Sequence, residues 1–471
     1  MNNKLQTIKY LLADYLSATM AWVVFFVYRK YSYDSNIESI YQSVITDQKF
    51  FYGIIIIPLA WLLFYFILGN YNRIYRKSRI RELGLTFVAS IIGVAIIFFT
   101  LILDDYVRDN SQLFDYAMVL FFAHFGFTSI SRFIITSFAA HKIHNHIIGF
   151  NTLIIGGNGN ATATYLDIEN QFRSSGNKII GFLSVNESNN YKLEQYVPHL
   201  GNYKDAEKII EEKAIEEAIV AIDPSEHDKI KSIITTLGRS KIIIKVIPDM
   251  HDILLGSVKM SAIFQAPLIQ IYPDIMPHWQ VVLKRVIDIL VSVIAVVFLS
   301  PVFLFTAIGI KLGSKGPIFY SQERIGQHGK AFMMLKFRTM VQDAEQNGPQ
   351  LSSDDDPRIT NFGRFMRKVR LDEIPQFFTV LKGQMSLVGP RPERKYYIDQ
   401  IMKKAPHYRL LLKVKPGITS WGQVKYGYAS TIDEMVERLK YDLLYLENMS
   451  LSMDFKIMIY TVLIILQGRG K

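Results

Sequence analysis

Polar and apolar positions divide the chain into three regimes. Four apolar runs occupy residues 11–28, 51–68, 83–103 and 116–135, each long enough to cross about 30 Å of hydrocarbon as a helix. From Asn151 the runs shorten to strand length. Strands are expected at 152–155, 179–183, 218–222 and 242–247, with helices from Ala161 through Phe172, at 205–213 and at 226–237. Strands that alternate with helices define a parallel, Rossmann-like sheet. A third regime opens near Pro277 with an apolar stretch, 289–310, interrupted by Ser300-Pro301. Alternating runs at 317–325 and 331–339 flank Gly326-Gln-His-Gly329 and read as a hairpin. A basic amphipathic helix is expected over 358–370, a helix from Pro375 to Lys382 ended by Gly383, and an interfacial helix over 451–466. The expected architecture is a multidomain membrane protein: a four-helix transmembrane bundle over 1–145, a Rossmann-like α/β domain over 146–275, and an α+β domain over 276–471 carrying a re-entrant membrane helix near 284–311.

Charge orients these regions. The 69–82 loop holds Arg73, Arg76, Lys77, Arg79 and Arg81, whereas Asp104, Asp105 and Asp109 face Arg108 alone after the third run. The positive-inside rule places the first loop, the N-terminus and everything after the fourth helix in the cytoplasm. Residues 311–471 carry 26 Lys and Arg against 16 Asp and Glu, nearly all of the net charge of +11. That segment stays inside if 289–310 enters and leaves by the same face. A kinked spanning helix is the alternative. Proline removes a helical hydrogen bond and bends the segment, and Ser300 is placed to satisfy backbone groups at the break. Lys284 and Arg285, just before it, are expected to anchor at the membrane interface. Asp14, Asp115, His124 and Arg132 lie in or near the spans; a structural role is expected for them, with Arg132 snorkelling to the cytoplasmic face. No paired discontinuous helices of a transporter occur.

Half of the residues are hydrophobic and the balance is basic. In a chain with membrane-length runs this favours an anionic lipid bilayer and phosphorylated substrates over nucleic acid. The chain has no cysteine, which excludes disulfides, thiolate zinc sites and a thiol nucleophile. The first run lacks a small-residue cleavage site and reads as an anchor.

Gly157-x-Gly159-x-x-Thr162 resembles a dinucleotide fingerprint with threonine at its third glycine, and Glu187 comes late for a ribose hydroxyl. Two readings stay open: a tight strand-to-helix turn, or a regulatory nucleotide site at Gly157 and Gly159. Lys336 and Arg338 share a strand face by period-two alternation. Asp372-Glu373 follows Arg370 and precedes a helix start. Such a pair is ordinary first-turn acid enrichment, or a carboxylate that attacks a phosphorus whose charge arginine or a metal masks. Magnesium takes oxygen ligands between carboxylates and substrate phosphates, so Asp372 and Glu373 are its candidate ligands. Arg391 sits on the stiff Gly389-Pro-Arg-Pro392 turn. With Lys336, Arg338 and Arg370 it is a candidate residue for binding substrate phosphate.

Lys284-Arg-x-x-Asp288, Ser300-Pro301, Gln322-x-Arg324-x-Gly326, Lys336-Phe-Arg-Thr-Met340, Leu371-Asp-Glu-Ile-Pro-Gln376, Ser386-Leu-Val-Gly-Pro-Arg-Pro392 and Lys415-Pro-Gly-Ile-Thr419 together resemble the bacterial sugar transferases, the polyprenyl-phosphate hexose-1-phosphate transferases. The likeness covers residues from about 280 to 471. With the preceding helices and α/β domain it looks like the large form, typified by undecaprenyl-phosphate glucose phosphotransferases. The resemblance implies a catalytic third domain, Asp372 as nucleophile, Glu373 as its acidic partner near Mg2+, a UDP-sugar donor and undecaprenyl phosphate as acceptor. It further implies an aspartyl-phosphosugar intermediate, UMP as product, and the first membrane step of exopolysaccharide, capsule or O-antigen synthesis at the bacterial cytoplasmic membrane. UDP-glucose is the first-choice donor, ahead of UDP-galactose and N-acetylhexosamine nucleotides. Lys415 stands where arginine is common, and Ser420 and Gly422 flank Trp421 where glycine and alanine are usual. A homodimer through the anchor is a further expectation. The rival readings are a membrane-tethered nucleotide-sugar epimerase or dehydratase, which lacks a Tyr with Lys four residues on, and a non-catalytic assembly scaffold.

Overall fold

The computed structural model describes residues 3–32, 36–102, 110–171, 174–186, 191–223, 226–237, 242–248, 268–271, 275–342, 344, 356–427 and 429–467. Leu103, the charged group 104–109, Phe172 and Glu187 lie outside the described residues. The chain divides into two compact units, Met1–Phe150 with Tyr165–Lys178, and Asn151–Thr164 with Ile179–Lys471.

The first unit contains helices α1 (Asn3–Tyr31), α2 (Ile37–Ile45), α3 (Gln48–Ile67), α4 (Arg79–Ile97) and α5 (Asn110–His144). Among the described residues, four helices are long and apolar enough to cross a membrane: Lys4–Tyr31, Gln48–Ile67, Arg79–Leu101 and Gln112–His144. Asp47 and Ser78 cap α3 and α4 by accepting the amides of Lys49 and Arg81. Trp22, Phe25, Phe26, Trp61, Tyr65 and Tyr116 fill the interior, while Leu12, Leu16, Ile55, Ile56 and Leu63 face outward.

Arg132 does not snorkel. It is 1% exposed, and its Nε and Nη2 donate to the two oxygens of Asp14 at 2.8 Å each. Nη1 donates to Glu82 at 3.3 Å and to Thr86 at 3.1 Å. Lys77 lies 2.9 Å from Glu82, and Tyr71 donates to Asp14 at 2.9 Å. Two cations and two carboxylates thus neutralise each other inside the bundle, where an isolated charge would be prohibitive. This pairing outcompetes a route to the headgroups. Arg132→Leu, which strands Asp14 in the interior, is expected to cost on the order of 3–5 kcal/mol. The unfolding midpoint in micelles reads this loss, and adding Asp14→Asn to the same chain recovers most of it.

A six-stranded sheet has the order β3-β2-β1-β4-β5-β6, and its strand residues belong to the second unit apart from Phe150, Asn177 and Lys178. Its strands are β1 (Phe150–Ile155), β2 (Asn177–Ser184), β3 (His199–Asn202), β4 (Glu217–Val220), β5 (Ile243–Val246) and β6 (Ile269–Ile271), with helices α6 (Gly159–Glu169), α7 (Ala206–Glu212) and α8 (His227–Leu237) between them. β4 runs parallel to β1 and to β5, and β3 runs parallel to β2. β6 adds an antiparallel edge. Leu153, Ile155, Ala218, Val220, Ile233 and Ile244 are among the buried residues of its core.

Helices α9 (His278–Phe298) and α10 (Ser300–Gly313) meet at a 60° bend. Pro301 occupies the first turn of α10, where its missing N–H costs nothing, and Ser300 Oγ donates to the Val297 carbonyl at 2.7 Å. Lys284 and Arg285 turn inward, in contrast to the expected headgroup anchors. Lys284 Nζ donates to Asp454 at 2.6 Å and to the Val388 carbonyl at 2.8 Å. Arg285 grips the carbonyls of Val380 and Leu381 at 2.7 and 2.9 Å, complementing the negative end of a short helix. Asp288 accepts the Leu387 amide at 3.0 Å. These charges therefore fasten α9 to the domain beneath it.

That domain comprises the antiparallel hairpin β7 (Phe319–Ile325) and β8 (Ala331–Phe337), α11 (Asn361–Lys368), α12 (Gln376–Leu381), β9 (Ser386–Val388), α13 (Lys395–Lys404), β10 (Gly417–Thr419), α14 (Trp421–Lys425), α15 (Ile432–Glu447) and α16 (Leu451–Leu466). β9 and β10 pair in parallel.

Candidate active site

Local sequence sets the acid pair on a tight corner. Thr360 caps α11 by accepting the Gly363 amide at 3.0 Å. The helix ends at Lys368, short of the expected Arg370, because Arg370 takes a left-handed backbone with φ 60°. A non-glycine residue in that region is strained and marks a position held by its surroundings. One 3-10 turn, Leu371–Glu373, then carries both acids, and Pro375 caps α12.

Asp372 is 9% exposed, and its Oδ1 has no protein hydrogen-bond partner. Burial and the adjacent Glu373 carboxylate push Asp372 upward, against the pull of Lys336, Arg370 and Arg367. For Glu373 burial also opposes ionisation, but Lys336, Arg370 and Arg391 outweigh it and hold the carboxyl low. Lys336 Nζ donates to Glu373 at 2.9 Å. Arg370 and Arg391 approach it at 3.7 and 3.9 Å. The pair is thus split: Glu373 is the ionised hub, and Asp372 is the carboxyl with an open oxygen.

Both acids line a cavity of about 480 Å³. Ten Lys or Arg side chains line it against three carboxylates, Asp372, Glu373 and Glu393, so the cavity suits a polyanion. Lys336, Arg370 and Arg391 therefore meet at one centre. Arg338 also reaches the wall, but its guanidinium is engaged with the carbonyls of Lys315 and Ser314 at 2.6 and 3.0 Å, closing the end of α10. Arg391 owes its position to backbone pairing between its turn and the Lys415 loop. The Gly417 amide donates to the Pro390 carbonyl at 2.9 Å, and the Gly389 amide donates to that of Thr419 at 3.0 Å.

Among the described residues no three His, Asp or Glu side chains gather as a metal cage. Magnesium shared with a substrate needs fewer protein ligands. The open Oδ1 of Asp372 beside the Glu373 carboxylate fits that shared role. Gly157 and Gly159 lie elsewhere, after β1 of the sheet, beside the point where strand order reverses. The Tyr191 ring packs on Gly157, so closely that a Cβ there would lie 2.5 Å from it. A second buried hub escaped the sequence reading: Glu393 with Arg324 and Arg438 at 3.3 and 2.6 Å. A signal for it exists in the buried face of α15, where Arg438 and Asp442 interrupt the apolar series Met435, Leu439 and Leu446.

The bent apolar pair of helices, the cationic cavity and the buried acid corner are thus parts of one domain. A family profile described as bacterial sugar transferase matches residues 279–468, and one described as a CoA-binding domain matches 67–248. The chain is 42% identical over 224 residues to UDP-N-acetylgalactosamine-undecaprenyl-phosphate N-acetylgalactosaminephosphotransferase of Aeromonas hydrophila, covering 48% of this chain and 52% of that protein. It is 36% identical over 277 residues to UDP-glucose:undecaprenyl-phosphate glucose-1-phosphate transferase of Xanthomonas campestris pv. campestris, covering 58% and 57%. It is 31% identical over 344 residues to an uncharacterized sugar transferase of Haemophilus influenzae, covering 68% and 70%. The chain thus spans little more than half the length of the first two relatives. It belongs to the bacterial sugar transferase family.

Two measurements probe this framework. A Cβ at Gly417 would lie 2.1 Å from the Gly389 amide nitrogen. Gly417→Ala is expected to cost about 1–3 kcal/mol through overpacking, with faster amide exchange at Gly389 and Ser386. Burial pushes the Asp442 carboxyl up to about 6, from an ordinary 3.8. A raised carboxyl favours folding below the unfolded value and loses that contribution as pH rises through 6. Asp442→Asn keeps an acceptor for the Gly422 amide, which Asp442 holds at 3.0 Å. The melting-temperature advantage of Asp442→Asn over wild type should therefore be larger at pH 7.5 than at pH 4.5.

Proposed function

We propose that the protein transfers a hexose 1-phosphate from a UDP-sugar to undecaprenyl phosphate at the cytoplasmic face of the bacterial inner membrane. The observation that carries this reading is a buried carboxylate with an open oxygen in a cavity lined by ten cations and three carboxylates. The relatives' names supply the two substrate classes. UDP-glucose is the first candidate donor, and an N-acetylgalactosamine nucleotide is the second.

In the first half-reaction Asp372 attacks the β-phosphorus of the donor. A phosphorus–oxygen bond forms to the carboxylate, the bond to the bridging oxygen breaks, and UMP departs with that electron pair. A sugar-phosphoryl-aspartate remains. In the second half-reaction an oxygen of undecaprenyl phosphate attacks the same phosphorus, the bond to Asp372 breaks, and undecaprenyl-diphospho-sugar leaves with the carboxylate restored. Lys336, Arg370 and Arg391 bind phosphate oxygens as charge-assisted donors. Glu373 keeps those three cations gathered beside Asp372. Magnesium, held by Asp372 and Glu373 with substrate oxygens, would mask phosphate charge.

The acceptor is lipid-bound and the donor soluble, so the site belongs at the membrane surface. A re-entrant course for α9 and α10 would put it there. The 60° bend and the basic excess of residues 311–471 support that course over a span. The product would start a surface polysaccharide chain.

Purified protein in nanodiscs, with magnesium, undecaprenyl phosphate and a panel of UDP-sugars, tests the reading by UMP release. One donor is expected to support turnover. Asp372→Asn should lower it on the order of 10³-fold or more. No UMP from any donor, with folded wild type and lipid present, would overturn the assignment.

A further inference from the structure

The chemistry above uses the cations that gather on Glu373. The same cavity wall holds a second gathering on Glu393, which is 4% exposed. Its Oε1 accepts from Arg438 Nη2 at 2.6 Å, and its Oε2 lies 3.3 Å from Arg324. Burial opposes ionisation of Glu393, but Arg438, Arg324 and Arg391 outweigh it and hold the carboxyl below its ordinary range. Arg391 stands between the two hubs, its Nη1 3.9 Å from Glu373 and its Nε 3.9 Å from Glu393. A diphosphate presents two anionic groups joined through one bridge, and the cations gathered at the two hubs offer donors to each group.

Arg438 is the member of this set without a role so far. It is 5% exposed and lines the cavity, and its Nε has no hydrogen-bond partner. A buried guanidinium nitrogen left unpaired costs free energy unless a ligand satisfies it. Its stem passes Gly422 so closely that a Cβ there would lie 2.8 Å from Arg438 Cγ. The side chain is therefore seated from both ends, by Glu393 at the tip and by the bare backbone of Gly422 at the stem.

We propose that Arg438 is a further substrate-binding residue, which takes, on the far side of Arg391 from Glu373, the phosphate that departs as UMP. The assignment rests on the transfer reaction above and adds the leaving-group side of the site. As the bridging bond breaks, charge accumulates on that phosphate. A buried cation stabilises it more than a solvated one does.

The test is equilibrium binding of UMP and of uridine to the full chain in nanodiscs, for wild type, Arg438→Gln and Gly422→Ala. Loss of one charge-assisted contact is expected to weaken UMP about tenfold or more and to leave uridine unchanged. Gly422→Ala, which alters no charge, should weaken UMP in the same direction. If Arg438→Gln fails to fold, Arg438→Lys is compared in its place and should weaken UMP selectively too. UMP binding equal to wild type, or an equal loss for UMP and uridine, overturns the assignment. A wild type that releases UMP while Arg438→Gln binds it normally overturns this inference alone. A wild type that neither binds nor releases UMP overturns the transfer reaction with it.

Discussion

Two adjacent carboxylates cannot both be buried and ionised unless cations surround one of them. That constraint organises the second unit. Glu373 is held ionised by Lys336 from the β7–β8 hairpin, Arg370 from the strained corner and Arg391 from the turn after β9. Three separate elements must therefore converge on one residue. Their convergence leaves Asp372 in a positively charged cavity with an oxygen to spare. Removing Glu373 would loosen all three cations, because they repel one another once their shared anion is gone.

The same logic of paired burial recurs in the supports. Arg285 and Lys284 secure α9 through carbonyls and Asp454. Glu393 collects Arg324 and Arg438. In the first unit Arg132 joins Asp14 and Glu82 across three helices. Each buried charge meets an opposite charge or backbone carbonyls, because unpaired burial would cost more than the packing returns. Backbone pairing does the remaining positioning, with the Gly389 turn and the Gly417 loop joined amide to carbonyl.

Much of this was legible in order along the chain. The four membrane-length apolar helices, the strand–helix alternation, the hairpin at Gly326 and the helix after Pro375 follow from local periodicity and turn chemistry, which a sequence displays directly. β3 and β6 were not anticipated, because the four residues His199–Asn202 and the three residues Ile269–Ile271 are too few to display a periodicity. The acid corner and its cations could be named from motif and charge. Which cation serves which acid could not. Arg338 and Lys336 look alike on one strand, yet one closes a helix end and the other holds Glu373. Lys284, Arg285 and Arg132 were read outward from their charge and found inward, since partners far along the chain decide such cases. Arg438 lies 45 residues from Glu393 in sequence, so only the fold brings the second hub together.

In the proposed reaction Asp372 carries the sugar phosphate between two substrates. The direct measurement is mass spectrometry of the acid-quenched protein after incubation with the productive UDP-sugar and magnesium, without lipid. The account predicts a hexose-phosphate adduct on the peptide containing Asp372, formed with one equivalent of UMP and discharged when undecaprenyl phosphate is added. UMP release that strictly requires the lipid, with no adduct at any time, would mean direct transfer between bound substrates and would contradict it.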